Sequence, residues 1–259
     1  MNNAPIGVFD SGLGGLTVWK ELRRGLPAES IVYFGDGKNC PYGPKPVAEV
    51  IGYAEQAVRL LLDQGAKLIV VACNAATAAA IDYLRTTYDL PFVGMEPAVK
   101  PAALSTRSGV IGILATRNTL KGHLFRDNVA RYGDRVRILE AVGEGFVEIV
   151  EADLEQTPKA EETVRRVVEP MLNAGADRIV LGCTHYPFLA PVIRRVIGDR
   201  QVELVDPAPA VERRVAHLLT EFGLQAEVDH QPQYSFFTAA GPEYRTKLEA
   251  KSRFALTMI

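Results

Sequence analysis

Two segments of this chain repeat one pattern at a spacing of 110 residues. Gly65-Ala-Lys-Leu-Ile-Val-Val-Ala-Cys73 and Gly175-Ala-Asp-Arg-Ile-Val-Leu-Gly-Cys183 share five of nine positions, including the first glycine and the closing cysteine. The glycine is typical of a helix end, and the apolar, β-branched run after it predicts a buried parallel strand. Because open α/β sheets bind ligands at the carboxyl ends of their strands, each cysteine is expected at a ligand-binding edge.

Strand-like runs alternate with helical patterns along most of the chain. Helix-period apolar positions cover Val47–Asp63, Asn118–Arg131 and Ala160–Asn173. The predicted strands are Ile6–Phe9, Ser30–Phe34, Lys67–Ala72, Phe92–Met95, Gly109–Ala115, Val136–Glu140, Arg178–Gly182, Val202–Val205 and Tyr234–Thr238. This alternation predicts an α/β fold with mainly parallel sheets flanked by helices.

The repeat spacing also predicts the domain organisation. A period of 110 residues is too long for a solenoid unit and fits two duplicated α/β lobes. We predict a discontinuous first lobe from residues 1–96 and 208–259, and a second lobe from residues 97–207. The two lobes are expected to be pseudo-symmetric, with the active site between them.

Length and charge exclude several classes of protein. With 259 residues the chain can bury a substantial core, and its net charge of −2 gives no electrostatic reason to bind nucleic acid or an anionic membrane. We find neither a signal-peptide pattern before the first predicted strand nor an apolar run of about 18 residues, so no membrane association is expected.

The cysteines and histidines indicate free thiols and no metal. Cys40, Cys73 and Cys183 are odd in number, widely spaced and without a C-x-x-C pair, so they do not form a disulfide framework. A reducing cytoplasm is the predicted compartment. The four histidines lack metal-ligand spacing, and we expect no metal site.

Two loops follow predicted strands of the first lobe. Asp10-Ser-Gly-Leu-Gly-Gly15 lacks the glycine that a dinucleotide fingerprint requires at Thr17, and Asp10 would repel a phosphate. The loop is either a capped tight turn or a binding loop for a small polar ligand. Asp36-Gly-Lys-Asn-Cys-Pro-Tyr-Gly43 is either a structural turn or a site where Tyr42 and nearby amides bind a carboxylate.

The paired thiols suggest a specific chemistry. A thiol at a helix start feels the positive end of the helix dipole, which favours the thiolate. His185, next to Cys183, could hold or receive a proton. A thiolate and a thiol on opposite faces of one carbon can remove a proton from one side and deliver one to the other.

Five motifs follow one another along the chain: Val8-Phe-Asp-Ser-Gly-Leu-Gly-Gly15, Pro41-Tyr-Gly43, Cys73-Asn74, Gly94-Met-Glu-Pro-Ala98 and Gly182-Cys-Thr-His-Tyr-Pro187. In order and spacing they resemble the motifs of the glutamate racemases within the aspartate/glutamate racemase superfamily. The resemblance implies cofactor-independent interconversion of L- and D-glutamate, which supplies D-glutamate for peptidoglycan synthesis. It also implies a homodimer.

The resemblance assigns roles to individual residues. Cys73 would deprotonate D-glutamate and Cys183 would deprotonate L-glutamate, with Asp10, His185 and Glu151 as auxiliary acids and bases. The substrate-contact positions correspond to Asp10, Ser11, Tyr42, Gly43, Asn74, Ala75, Thr184 and His185.

The chain departs from the family pattern at two places. Ala75 stands where many members carry threonine, and Gly143-Glu144 stands where many carry Cys-Pro before the Glu151 helix. Three other functions stay open: a racemase for another amino acid, a cysteine hydrolase or transferase with His185 as base, and a non-catalytic amino-acid binder. Aspartate racemases of the superfamily commonly carry glutamate at the position of His185, which favours glutamate as substrate.

Overall fold

The computed structural model describes the backbone of residues 1–257 and the side chains up to residue 253. The elements up to residue 95 are β1 (Ile6–Asp10), α1 (Leu16–Gly25), β2 (Ile31–Gly35), α2 (Val47–Asp63), β3 (Leu68–Val71), α3 (Asn74–Thr87) and β4 (Phe92–Gly94). Those up to residue 207 are α4 (Val99–Ser105), β5 (Val110–Ala115), α5 (Arg117–Lys121), α6 (His123–Tyr132), β6 (Arg137–Val142), α7 (Phe146–Glu151), α8 (Pro158–Asn173), β7 (Arg178–Gly182), a 3₁₀ helix (Tyr186–Leu189), α9 (Ala190–Ile197) and β8 (Glu203–Val205). The remaining elements are α10 (Ala208–Glu221), β9 (Tyr234–Thr238) and α11 (Pro242–Thr257).

The chain forms two compact units, each with its own sheet. The first unit contains Met1–Met95 and the chain from Ala208 onward, and the second contains Glu96–Pro207. All strand pairs in both sheets are parallel, and helices flank each sheet, as the sequence predicts.

The two sheets share one topology. The first sheet has the order β4-β3-β1-β2-β9, and the second, read in the matching direction, has the order β8-β7-β5-β6. Strands β1 to β4 therefore correspond one by one to β5 to β8, and β9 extends the first sheet. The two repeated sequence frames become the equivalent strands β3 and β7, which confirms the predicted duplication.

Burial explains why these segments form parallel strands. Every residue of β1, β2 and β3 is buried, which matches the near-continuous apolar runs of a sheet covered on both faces. Helix α2 buries one stripe at helical spacing, made by Val50, Ala54, Ala57, Val58 and Leu61. Each fully buried Val or Leu there contributes about 1.5–3 kcal/mol to folding. Gly65, at φ +77°, then ends this segment in a conformation that favours glycine.

The strand order defines where each unit can bind a ligand. From β1 the chain moves to one side to form β2 and then crosses back to form β3 on the other side. The carboxyl ends of β1 and β3 thus flank a topological switch point, the usual ligand site of an open α/β sheet. In the second unit the equivalent position lies between β5 and β7.

The structure differs from the sequence analysis at three places. The helix predicted over Asn118–Arg131 is two helices, α5 and α6, because Gly122 is extended at ψ 142°. Helix α11 was not expected, since its sequence has few apolar positions at helical spacing. Cys183 does not begin an α-helix, because the segment after β7 forms a four-residue 3₁₀ helix and α9 starts only at Ala190.

Among the described residues, no helix is long and apolar enough to cross a membrane.

Candidate active site

Cys73 lies at the switch point of the first unit, between β3 and α3. Its side chain is the N-cap of this 14-residue helix, and Sγ accepts a hydrogen bond from the Ala76 N–H at 3.4 Å. The thiol also approaches the Ser11 hydroxyl, with 3.8 Å between Sγ and Oγ. A capping sulfur at the positive end of a helix is stabilised in its negatively charged form. Cys73 is therefore placed to act as a base.

Polar side chains of β1 and β2 fix the conformation of the loop after β1. The Asp10 carboxylate is fully buried and accepts a hydrogen bond from the Gly12 N–H at 2.9 Å. The Tyr33 hydroxyl donates to the Gly12 carbonyl at 2.8 Å. A Cβ at Gly15 would lie 2.6 Å from the Asp10 Cβ, so glycine is required there. The loop is a tight turn closed by Asp10, and α1 begins after Gly15 without a side-chain cap. The turn places Asp10 and Ser11 at the edge where Cys73 lies.

Asn74 follows the thiol and keeps one polar atom without a partner. Its side chain is 2% exposed, and Nδ2 donates to the Met95 carbonyl at 3.2 Å. Oδ1 is buried and has no hydrogen-bond partner among the described residues. A buried acceptor without a donor costs about 1–3 kcal/mol, so this atom is suited to accept a hydrogen bond from a ligand. Ala75, which is also buried, offers no side-chain hydrogen bond.

Tyr42 and Asp36 form a hydrogen-bonded pair in the loop after β2. The Tyr42 hydroxyl donates to Asp36 Oδ2 at 2.6 Å, and both side chains are buried. Burial first, and then the Asp36 carboxylate, raise the pKa of Tyr42 far above its usual value, and the negative charges of Cys73 and Asp10 add to this effect. The phenol therefore remains protonated. Gly43, the other predicted contact in this turn, is buried beside it.

The second thiol has different neighbours. Cys183 follows β7 directly, is 6% exposed, and has its Sγ 3.9 Å from His185 Nδ1. The Thr184 hydroxyl also lies near this nitrogen, at 3.5 Å. Because no α-helix begins here, the sulfur lacks the long-helix dipole that Cys73 has. The His185 imidazole is the nearby group that can exchange a proton with the Cys183 thiol.

Glu151 completes a row of three polar side chains. It is the last residue of α7, and its Oε1 lies 2.7 Å from His185 Nε2, a distance typical of charge-assisted hydrogen bonds. The His185 side chain is 1% exposed and that of Glu151 is 17% exposed. A buried imidazole between a thiol and a carboxylate can hold a proton near the sulfur. Despite the departure at Gly143-Glu144, Glu151 therefore lies within hydrogen-bonding distance of His185.

Tyr186 packs beside these side chains and was not identified as a site residue from the sequence. Its hydroxyl donates to the carbonyls of Ala115 at 3.3 Å and Gly143 at 3.5 Å, and its ring packs edge-on against Phe146. Burial first, and then Cys183, raise the pKa of Tyr186 well above its usual value. Tyr186 thereby joins the segment after Cys183 to the start of α7.

The predicted site residues thus fall into two half-sites, one in each unit. The first gathers Asp10, Ser11, Tyr42, Gly43, Cys73, Asn74 and Ala75, and the second gathers Glu151, Cys183, Thr184 and His185. Asp36 and Tyr186 are additional, because their contacts depend on loops that the sequence pattern does not define. Tyr186 follows His185 in the sequence, and Asp36 directly follows β2, so adjacency was the available signal.

Comparison with known proteins identifies the family. Residues 6–214 match the family model described as Asp/Glu/Hydantoin racemase. A glutamate racemase of Herpetosiphon aurantiacus is 44% identical over 248 residues, covering 96% of this chain and 97% of that protein. Among solved structures, glutamate racemase RacE1 of Bacillus anthracis has a TM-score of 0.87 at 31% identity and covers 97% of this chain and 94% of its own.

A third relative was solved with its ligands. The Escherichia coli glutamate racemase, in complex with L-glutamate and the activator UDP-MurNAc-ala, has a TM-score of 0.84 at 33% identity, covering 96% of this chain and 95% of its own. The match to the family model spans most of the sequence, including both thiols. This chain belongs to the Asp/Glu/Hydantoin racemase family.

Proposed function

We propose that this protein is a glutamate racemase that interconverts L- and D-glutamate without a cofactor and supplies D-glutamate for peptidoglycan synthesis. The observation that carries the proposal is the duplicated half-site, with one buried thiol after β3 and an equivalent one after β7. Racemisation must proceed from both faces of one carbon, and a duplicated fold supplies one acid/base for each face. The similarity to proteins named glutamate racemase supports glutamate as the substrate.

In the proposed mechanism, both thiols serve the Cα of one glutamate. A thiolate removes the α-hydrogen, the C–H bond breaks, and its electron pair remains on the substrate as a carbanion. The other thiol then donates its proton to the opposite face and becomes a thiolate. Cys73 acts first on D-glutamate and Cys183 acts first on L-glutamate. No group is oxidised or reduced, and the roles exchange when the direction reverses.

The two half-sites manage the proton differently. Cys73 has the N-terminus of α3 to stabilise its negative charge. Cys183 has His185, whose other nitrogen is bound to Glu151. We propose that His185 holds a proton beside Cys183 when this thiol acts as the acid. Asp10 has the corresponding auxiliary role in the first unit.

The polar groups of both half-sites bind the substrate in this proposal. The free Oδ1 of Asn74 accepts from the α-ammonium group, with which Asp10 pairs by charge. The substrate carboxylates bind hydroxyl and main-chain N–H donors of the half-sites, where developing charge is stabilised. These donors come from Ser11, the Tyr42-Gly43 turn, Ala75, Thr184 and His185.

One alternative function has a structural observation in its favour. Cys183, His185 and Glu151 are arranged like the nucleophile, base and orienting acid of a cysteine hydrolase. That mechanism gives no role to Cys73, although its half-site is equally buried and contains an unpaired acceptor. Loss of Cys73 would leave a hydrolase active, whereas it would abolish racemisation.

The direct test uses purified protein with L- or D-glutamate in D₂O, without pyridoxal phosphate or added metal. We expect optical activity to decay to zero from either enantiomer, with deuterium at Cα of the inverted product. L- and D-aspartate in the same assay test substrate specificity. Persistent optical rotation without α-exchange would refute the racemase assignment.

The resemblance also predicts a homodimer, and the free thiols predict a cytoplasmic location. Light scattering of the purified protein measures the first, and a mass twice the 28.3 kDa of the chain is the expected result. Fractionation of the native cells measures the second.

A further inference from the structure

Two buried carboxylates lie at opposite ends of β2 and have different partners. Glu29, before the strand, is 4% exposed and pairs with Lys67 at 2.6 Å. Asp36, after the strand, is 3% exposed, and within the described part of the chain no cationic side chain lies within ion-pair distance of it. Burying a carboxylate without a cation is costly. The difference therefore indicates that Asp36 has a function at the ligand-binding end of the strand.

Asp36 organises the loop that carries Tyr42 and Gly43. Its Oδ2 accepts from the Tyr42 hydroxyl at 2.6 Å, and both oxygens accept from Asn39 Nδ2 at 3.1 and 3.0 Å. Its own N–H donates to the Asp10 carbonyl at 3.0 Å, which ties the loop to the end of β1. These neutral donors satisfy the carboxylate and fix the turn at the same time.

The hydrogen bond also decides what Tyr42 can offer to a substrate. The phenol is 1% exposed, and its only proton points to Asp36. Since burial and the Asp36 charge raise the pKa of this phenol, the proton stays on the hydroxyl. In this arrangement the Tyr42 side chain donates to Asp36 and not to a substrate carboxylate. The main chain of the Tyr42-Gly43 turn remains for that contact.

We infer that Asp36 is a positioning residue, which acts through the Tyr42 hydroxyl to hold the Tyr42-Gly43 turn in the geometry that binds a carboxylate of the substrate. This inference rests on the proposed racemase function and adds a residue to it. The carboxylate that such a turn binds is present in both enantiomers. Loss of Asp36 therefore weakens binding of L- and D-glutamate alike, and its effect falls on KM more than on kcat.

The test is a double-mutant cycle of Asp36→Asn and Tyr42→Phe, with KM and kcat measured for both enantiomers. We expect each single variant to raise KM about 10-fold, the loss typical of one hydrogen bond to a charged group. Since the two residues act through one bond, the double variant should raise KM no further than the worse single variant. If the Asp36→Asn protein does not fold, Tyr42→Phe alone must still raise both KM values.

The matched control is Glu29→Gln, which alters the other buried carboxylate of the same strand. We expect it to lower Tm and leave KM unchanged, because Glu29 lies at the opposite end of β2. Independent KM increases that multiply in the double variant would overturn the inference, as would an equal KM increase from Glu29→Gln or a loss of kcat at wild-type KM. A wild-type protein that fails to racemise glutamate instead refutes the proposed function, so the two failures are distinct.

Discussion

The hydrogen bond between His185 and Glu151 leads to a quantitative prediction. Glu151→Gln keeps the size and a hydrogen-bonding oxygen of the side chain but removes the negative charge 2.7 Å from Nε2. The imidazole is almost fully buried, so water does not replace this charge. Hydrogen bonds to charged groups contribute about 1.5–3 kcal/mol. Taking about 2 kcal/mol as lost from the step in which His185 carries a positive charge predicts kcat/KM about 30-fold lower.

Circular dichroism of the substrate measures this effect, because the initial rates from L- and D-glutamate give kcat/KM in each direction. Glu148→Gln is the matched control, because Glu148 lies on the same helix with its side chain exposed. We expect this control to stay within about 2-fold of the wild type, since exposed charges contribute little. A Glu151→Gln variant with unchanged kcat/KM, or an equal loss in Glu148→Gln, would refute the argument.

Two further predictions concern the second unit. Burial raises the pKa of Asp177, but hydrogen bonds from Thr106 and the N–H groups of Arg107 and Ser108 outweigh it and lower the pKa. Asp177→Asn should therefore lower the free energy of unfolding by about 1 kcal/mol at pH 7, and urea titrations should show this difference shrinking below about pH 4 as the wild-type carboxylate protonates. Gly182→Ala places a Cβ 2.8 Å from the Leu114 carbonyl, which should move Cys183 and lower kcat/KM at least about 10-fold. In the control Gly175→Ala the new Cβ meets no atom within 4 Å, so this variant should affect stability only. A stability difference that does not shrink as the pH falls below about 4, or a Gly182→Ala variant with wild-type kcat/KM, would contradict these arguments.

The strands and the thiols could be predicted because their signals are local. Each buried strand is a short β-branched run between turn residues, and the two cysteine frames repeat the same run. Parallel pairing then places both cysteines at carboxyl ends without further information. The helix split at Gly122 was missed because helical apolar spacing continues through it.

The remaining parts of the site depend on tertiary contacts. Glu151 meets His185 because Tyr186 ties the segment after β7 to the start of α7, a contact between residues distant in sequence. Asp36 meets Tyr42 across a loop whose composition is that of an ordinary turn. The sequence contains these residues, but no periodic pattern predicts which of them hydrogen-bond.

The central claim is that each thiol removes the α-hydrogen from one enantiomer only. Because the enantiomers have equal free energies, kcat/KM is the same in both directions for every variant, so net rates cannot separate the thiols. The decisive measurement is α-hydrogen exchange in D₂O by Cys73→Ala and Cys183→Ala. We expect Cys73→Ala to exchange L-glutamate alone and Cys183→Ala to exchange D-glutamate alone, both without inversion. Net racemisation by either variant, or exchange of both enantiomers by one of them, would contradict the two-thiol account.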